Sequence, residues 1–263
     1  MNLLQAIEEN FFAIGRYWGN LNSKIVQAQS ISAMSTGIPV ADLNWVWNEK
    51  HLTVKDSRDI DNIIKNYEQL ALPFWWWVYP CGQANESRII LESKGLKYLM
   101  AIPCLAMDLT SLPAEMSINA ATKVAIVQNT GDLNLWEELS FAGFEFAADA
   151  IIPYHRFVTS FDISEQSPQK LFLVYLNGAP VASSLLFMNK DTAGIYFVST
   201  LPAYRNRRIG LALTNYIINY AKKLGLKLCI LQASELGLNV YRRAGFREYC
   251  HADVYSRAAL EKS

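Results

Sequence analysis

The sequence predicts an α/β (α+β) protein built from two domains. Its 263 residues exceed the usual size of a single domain, about 100–150 residues, and 51% of them are hydrophobic, which is enough for one or two cores. Short apolar runs alternate with segments of helical periodicity along the whole chain. The segment Leu112-Pro113-Ala114 reads as a linker, so we expect domains over residues 1–112 and 121–263.

In the first half, apolar residues at steps of three and four predict helices, and apolar runs bounded by turns predict strands. Pro73 and Pro80, for example, bound an aromatic strand. The predicted helices cover residues 2–20, 59–69 and 85–93, and the predicted strands cover 31–34, 40–47, 74–79 and 96–109.

The second half shows the same alternation. A helix over residues 210–224 is predicted to end at Gly225, and the apolar run 226–231 is short enough for a buried parallel strand. A strand fragment followed by a helix is expected within residues 126–150. The other predicted elements are strands at 171–175, 180–188, 194–200 and 248–255 and a helix at 236–244.

Composition excludes several classes of protein. Lys plus Arg and Asp plus Glu both number 24, which disfavours nucleic acid as a partner. The four cysteines and three histidines are scattered without metal-ligand spacing, so no metal is expected. Residues 1–12 lack the basic region of a signal peptide, and no run of about 18 apolar residues occurs. We therefore expect a soluble cytoplasmic protein without a membrane partner.

The segment from Gly194 to Leu213 combines a strand, a short basic loop and a helix. A helix start presents unpaired N–H groups and the positive end of the macrodipole, which favours a diphosphate. Arg205, Arg207 and Arg208 add full positive charges at that point. Taken alone, the segment fits a cofactor loop or an ordinary solvated basic turn.

Two motifs in this half carry a resemblance to a known family. The run P-A-Y-R-N-R-R-I-G-L-A-L, starting at Pro202, resembles motif A of the GNAT superfamily, P-x-[YF]-R-x-x-G-x-G/A. The segment from Ser234 to Phe246 resembles the N-x-x-x-x-x-x-Y-x-x-x-G-F element of the same family. The close match covers residues 194–246, and the likeness in element order extends back to about residue 121.

The resemblance implies two GNAT-like domains, each with a mixed, mostly antiparallel sheet flanked by helices, and acetyl-CoA as co-substrate. Tyr241 matches the tyrosine that often donates a proton to the leaving CoA thiolate. Main-chain groups of one strand would hold the pantetheine arm, the basic loop would hold the pyrophosphate, and one residue would contact the arm from the next turn. By position these residues are Val198, Ser199, Thr200, Arg205, Asn206, Arg207, Arg208, Ile209, Gly210 and Ser234.

The sequence departs from the family pattern at three points. Arg208 stands where the first motif glycine is expected; reading the motif two residues later would place Gly210 there, but then the spacing from Pro202 fails. Ser234 replaces the usual Asn. Cys229 lies where some relatives keep a glutamate base. A water chain, or one of Glu138, Glu145 and His155, could serve as the base, and none is assigned.

We interpret residues 1–112 as a degenerate, non-catalytic GNAT-like domain that lines the acceptor cleft. Residues 37–41 match 178–182 at four of five positions, and residues 91–96 align with 241–246. The alternative is that these matches arise by chance.

In the three consecutive tryptophans, residues 75–77, an aromatic core strand is favoured over a ligand-stacking surface, because alternate side chains face opposite layers.

We therefore expect an enzyme that moves an acetyl group from acetyl-CoA to a primary amine of a small molecule or peptide by direct attack. A non-catalytic acyl-CoA-binding or regulatory module is the alternative, motivated by Arg208 and the missing base. Acyl transfer from aminoacyl-tRNA is a third possibility, and the neutral charge argues against it.

Overall fold

A computed structural model describes residues 2–21, 25–28, 30–112, 115–118 and 121–257. Within the predicted linker, Leu112 is described, whereas Pro113 and Ala114 lie outside the described residues. The chain forms two compact units. The C-terminal unit contains Met1–Asn10, Cys104–Ile151 and Phe161–Tyr249, and the N-terminal unit contains Phe11–Pro103, Ile152–Ser160 and Cys250–Ser263. The functional division at residues 112 and 121 stays a prediction.

The described residues form helices and strands in an alternating order. The helices are α1 (Leu3–Leu21), α2 (Ser57–Gln69), α3 (Asn85–Ser93), α4 (Thr130–Gly143), α5 (Ile151–Thr159), α6 (Ile209–Lys223) and α7 (Glu235–Ala244). The strands are β1 (Ile25–Ala28), β2 (Ile31–Met34), β3 (Trp45–Asn48), β4 (Trp75–Val78), β5 (Lys97–Asp108), β6 (Thr122–Ile126), β7 (Gln169–Leu176), β8 (Ala179–Asn189), β9 (Thr192–Thr200), β10 (Leu228–Gln232) and β11 (Arg247–Ser256).

The strands of the N-terminal unit follow the order β1-β2-β3-β4-β11-β5, in which β3 and β4 are parallel and β4 and β11 are antiparallel. Alternate side chains of β4 enter different layers. Trp76 packs with the apolar residues of α2, whereas Trp77 lies 4.9 Å, centroid to centroid, from Phe11 of α1. Both tryptophans are buried, which confirms the interpretation of residues 75–77 as an aromatic core strand.

The C-terminal unit repeats this design with strands in the order β5-β10-β9-β8-β7-β6. Only the β9–β10 pair among the described pairs of this unit is parallel, as predicted for residues 226–231. Helices α6 and α7 pack on one face, where Leu213, Ile217, Cys229 and Tyr241 belong to one apolar cluster. On another side of the sheet, Trp136 of α4 donates a hydrogen bond to the carbonyl oxygen of Ser184 on β8.

Three local predictions differ from the structure. Residues 40–47 are not one strand, because Ala41–Leu43 form a turn of 3-10 helix before β3. The Asn44 side chain causes this break: its amide donates to the carbonyl oxygens of Ile38, Val40 and Pro73. Strand β1 and helix α5 were not predicted, since each is short and carries a weak periodic pattern.

From α1 and from α5 onward, the two halves share the order helix, three strands, helix, strand, helix and strand, but the first proposed match between them is wrong. In this order β2 corresponds to β8. Gly37 follows β2, whereas Gly178 precedes β8, so the two glycines lie in different turns. The second match holds in detail. Gly95 and Gly245 both end a helix with positive φ, 80° and 100°, and the next residue in each case donates to the carbonyl five positions back.

A buried asparagine from α1 joins the strands that carry the predicted site. Asn10 is fully buried, and its Oδ1 accepts a hydrogen bond of 2.8 Å from the Tyr196 hydroxyl. Its Nδ2 donates to the carbonyl oxygens of Phe187 and Thr192 at 3.4 and 3.2 Å. A Cβ at Gly194 would lie 2.2 Å from Asn10 Oδ1, so glycine is required for this close approach.

We expect Asn10→Ala to lower the free energy of unfolding by about 2–4 kcal/mol. The change removes three buried hydrogen bonds worth about 1 kcal/mol each, and it leaves the buried Tyr196 hydroxyl without the acceptor that Asn10 provides. Urea denaturation measures the effect. Gln5→Ala, at an exposed position of the same helix, is the control and should change stability by less than about 0.5 kcal/mol. Equal stability of the two variants would contradict a structural role for Asn10.

Candidate functional site

The parallel ladder between β9 and β10 stops partway along β9. The paired residues run from Thr192 with Leu228 to Gly194 with Ile230, and beyond them residues 195, 196, 199 and 200 pair with β8 alone. A bulge in β9 accompanies this change: between the pairs formed by Ser199 and Tyr196, β9 has one residue more than β8. Peptide groups of the second half of β9 therefore face a gap rather than a strand.

Beyond β9 the chain makes a turn with unpaired amides. Pro202–Tyr204 form a turn of 3-10 helix, and α6 begins at Ile209 without a side-chain cap. Within the described residues, none of the main-chain N–H groups from Asn206 to Leu211 donates a hydrogen bond; the first helical bond is from Ala212 to the Arg208 carbonyl. Such a run of amides at a helix start is a site for an anion.

The three arginines of this loop have different environments. Arg205 is held by its neighbours: Nε donates to the Thr200 carbonyl at 3.2 Å, and an Nη donates to the Gly143 carbonyl at 2.8 Å. It also forms an ion pair of 2.9 Å with Glu145. The Arg207 guanidinium lies 5.3 Å from the Tyr204 ring centre. Arg207 and Arg208 are exposed and supply positive charge near the amides.

Arg208 has the backbone of a glycine, with φ 61° and ψ 17°. This left-handed conformation is where the family motif places its glycine, so the conformation supports the unshifted alignment of the motif. Asn206 also has positive φ, 62°, which asparagine tolerates well. Both residues with positive φ lie within the run of unpaired amides at the start of α6.

Tyr241 and Ser234 belong to helix α7, on the α6 side of the sheet. Ser234 is the N-cap of α7 and accepts a hydrogen bond of 3.2 Å from the Gly237 amide. The Tyr241 ring is 8% exposed and packs edge to face on Phe246 at 6.2 Å. Its hydroxyl makes no hydrogen bond to any other described residue. Burial raises the pKa of Tyr241, so the phenol stays protonated.

Comparison with known proteins places this half of the chain in a family: residues 133–246 match the acetyltransferase (GNAT) family. The chain contains a GNAT domain. The predicted family is thereby confirmed. A search of the curated proteins gives no match.

Solved structures extend the likeness to the whole fold. A GCN5-related N-acetyltransferase from Kribbella flavida has a TM-score of 0.70 at 17% identity, covering 95% of both chains. One from Sphaerobacter thermophilus has a TM-score of 0.63 at 14% identity, covering 87% of this chain and 76% of that one. A tandem GNAT protein from the clavulanic acid biosynthesis pathway has a TM-score of 0.56 at 12% identity, covering 91% and 82%. These matches confirm the fold class of two GNAT-like domains.

The residues considered as a base are not gathered at one point of the GNAT domain. Glu145 is engaged by Arg205, and Glu138 is exposed on α4. His155 lies on α5, in the N-terminal unit. Burial raises the pKa of Cys229 to about 12, so this thiol cannot accept a proton as a base at neutral pH. The base therefore stays unassigned.

The N-terminal unit has the opposite charge at the corresponding position. Helix α2 follows the parallel strand β3 just as α6 follows β9, but its N-cap is Asp56, a buried carboxylate that accepts hydrogen bonds from the Thr53 amide and hydroxyl at 2.7 and 2.9 Å. An internal anion at this helix start repels an incoming phosphate. Leu91, fully buried, occupies the place of Tyr241. Both features support assigning cofactor binding to the GNAT domain.

Two further classes of site receive no support from the described residues. In that part of the chain, no group of three or more His, Cys, Asp or Glu side chains is arranged to hold a metal ion. Helices long and apolar enough to cross a membrane are also absent from the described ranges. The cytoplasmic location stays a prediction.

Two substitutions at Arg208 test the importance of its backbone. Arg208→Gly should leave the free energy of unfolding within about 1 kcal/mol, because relief of the left-handed strain offsets the added freedom of the unfolded chain. Arg208→Val should destabilise the protein by about 1–2 kcal/mol more, since a β-branched residue is strained at this φ. Chemical denaturation of the two variants gives the comparison, and equal stabilities would argue against the observed backbone.

Proposed function

We propose that the chain transfers an acetyl group from acetyl-CoA to a primary amine by direct attack. The observation that carries this proposal is the run of unpaired amides from Asn206 to Leu211, beside the gap between β9 and β10. The amides and the positive end of α6 suit a diphosphate. Arg207 and Arg208 add charge, whereas Arg205 holds the loop, because its guanidinium is already engaged and its amide donates to the Pro202 carbonyl.

The gap along β9 suits the pantetheine arm. The Thr200 carbonyl accepts a hydrogen bond from Arg205. The Leu201 amide bonds the Val181 carbonyl, so by the alternation of antiparallel strands the Ser199 peptide groups face β8, which leaves Val198 as the residue best placed to pair with the arm through main-chain groups. Ser199 is also fixed through its side chain, because its Oγ lies 2.8 Å from Ser183 Oγ. Ser234 caps α7, so in this proposal it contacts the cofactor only with the remaining capacity of its hydroxyl.

When bound, acetyl-CoA supplies a thioester carbon for attack: the new C–N bond forms, the C–S bond breaks, and CoA leaves as a thiolate. We assign Tyr241 as the proton donor to that thiolate. Its hydroxyl makes no hydrogen bond to the described residues, and burial keeps it protonated. The ammonium proton of the acceptor passes to a base that we leave unassigned. A non-catalytic acyl-CoA-binding module is less well supported, because Arg208 has the glycine-like backbone and the tyrosine is present.

Charge reversal tests the proposed diphosphate site. Arg207→Glu/Arg208→Glu should weaken acetyl-CoA binding about 10- to 100-fold, because two guanidinium groups near the phosphates become carboxylates. Isothermal titration calorimetry measures the affinity. Arg243→Glu/Arg247→Glu is the matched control, since both residues are exposed in the same unit, and it should change the affinity less than about threefold. Retained affinity in the first variant would remove the assignment of this loop.

The role of Tyr241 predicts a particular pH dependence. Because its pKa is raised, the phenol stays protonated beyond its ordinary value of about 10, so kcat should show no falling limb below about pH 10. Tyr241→Phe should lower kcat about 10- to 1000-fold across this range and leave the Kd of acetyl-CoA within about threefold. Measured kcat profiles of both proteins decide the matter, and an unchanged kcat in the variant would exclude Tyr241 as the donor.

A further inference from the structure

Phenylalanine rings form a continuous surface between the end of α4 and the bulge of β9. Phe197 meets Phe144 edge to face at 5.6 Å and Trp136 at 5.7 Å. Phe144 stacks on Phe146 at 5.4 Å, and Phe146 meets Phe141 at 5.7 Å. We call Phe141, Phe144, Phe146 and Phe197 the aromatic wall. It is not fully covered by the protein, because Phe144 is 38% exposed.

The backbone that carries the wall is strained in two places. Phe197 has φ 51° and Glu145, between Phe144 and Phe146, has φ 57°. A left-handed conformation costs about 1–2 kcal/mol for a residue with a Cβ, and the cost is high for bulky side chains. Glu145 has this conformation as the residue that ends α4, since the Phe146 amide donates to the Phe141 carbonyl, whereas Phe197 has it within the bulge of β9. Here it directs rings from two separate segments into one surface.

Arg205 ties this wall to the proposed cofactor loop. One guanidinium bonds the Gly143 carbonyl at the end of α4, the Glu145 carboxylate and the Thr200 carbonyl at the end of β9. Gly143 also packs directly on β9, since a Cβ there would lie 2.7 Å from Ser199 Oγ. The wall therefore has a fixed position beside the strand that we assign to the pantetheine arm.

The wall and Tyr241 lie on different faces of β9. The Phe197 ring contacts Trp136 of α4, whereas Val198 packs with the apolar cluster that contains α6 and Tyr241. A molecule on the wall would approach the gap from the face opposite the proton donor for the thiolate. That arrangement suits the nucleophile of the reaction rather than the leaving group.

We propose that the aromatic wall binds the apolar body of the acceptor amine, and that the acceptor is an aryl or alkyl monoamine. The inference rests on the proposed acetyl transfer. Charge supports the choice of class: Glu145, the carboxylate between Phe144 and Phe146, is paired with Arg205 and is therefore less available to an ammonium group. Polyamines and aminoglycosides, with several positive charges, would need such carboxylates; a monoamine gains from ring contacts alone.

Calorimetry on the full chain saturated with CoA tests the proposal, with 2-phenylethylamine, hexylamine and spermidine as probes. Both monoamines should bind more tightly than spermidine. Phe144→Ala should weaken 2-phenylethylamine about tenfold, the effect of losing about 1.4 kcal/mol of ring contact, while the Kd of CoA stays within about twofold. Tyr249→Ala removes an aromatic ring of similar exposure elsewhere in the same unit and should leave all three affinities unchanged.

Three results would overturn the proposal: spermidine binding as tightly as the monoamines, no binding of either monoamine, or a Phe144→Ala variant that weakens CoA instead of the amine. The last result would indicate that the aromatic wall contacts CoA, the acetyl donor, and not the acceptor amine. Phe144→Leu is the variant to use if Phe144→Ala does not fold, since leucine keeps an apolar contact. It should bind hexylamine with less loss of affinity than 2-phenylethylamine. Failure of the proposed function would be seen separately, as absence of CoA binding in the unaltered chain. In that case, titration of the amines without CoA would still test whether the aromatic wall binds them.

Discussion

The ladder between β9 and β10 ends after the pair of Gly194 and Ile230, and the site is organised around that ending. Parallel strands normally keep their hydrogen bonds along their shared length, so an early end leaves polar groups that need another partner. The bulge in β9 and Pro202 maintain the separation on one side. The free amides of the following turn continue the same unpaired edge toward α6. An extended ligand with a diphosphate at one end fits this edge.

The two halves of the chain show how one arrangement of elements supports different roles. Each has a parallel strand pair connected through a helix, and each closes its last helix with a glycine of positive φ. The difference lies in the residues at the helix start: Asp56 in one half, Arg208 in the other. Fold alone therefore does not assign the function, and the charge at the helix start is one of the features that distinguish the two halves, together with Leu91 in the place of Tyr241.

The sequence was sufficient for the elements that carry the motif and insufficient for features that depend on distant partners. Helices α6 and α7 and strand β10 lie within about two residues of their predicted bounds. The bulge at Phe197 could not be predicted, because it exists only relative to the register of β8. Asn10 left a weak signal, a polar residue three positions after Ile7 on an apolar helix face, but nothing in the local pattern names Tyr196 as its partner. The arginines looked equivalent in sequence, and only the carbonyls around Arg205 distinguish it.

The hydrogen bonds of Asn10 join residues that are far apart along the chain, and this has a consequence for folding during synthesis. Its bonds span 177 to 186 positions, so this segment of α1 leaves the ribosome well before the strands that it will join. Strand β11, made near the other end, completes the pairing of β4. Each compact unit combines segments that are far apart along the chain, so neither can form completely until its later segments have been synthesised. The N-terminal unit therefore completes its sheet only once the residues of β11 that pair with β4 have left the ribosome.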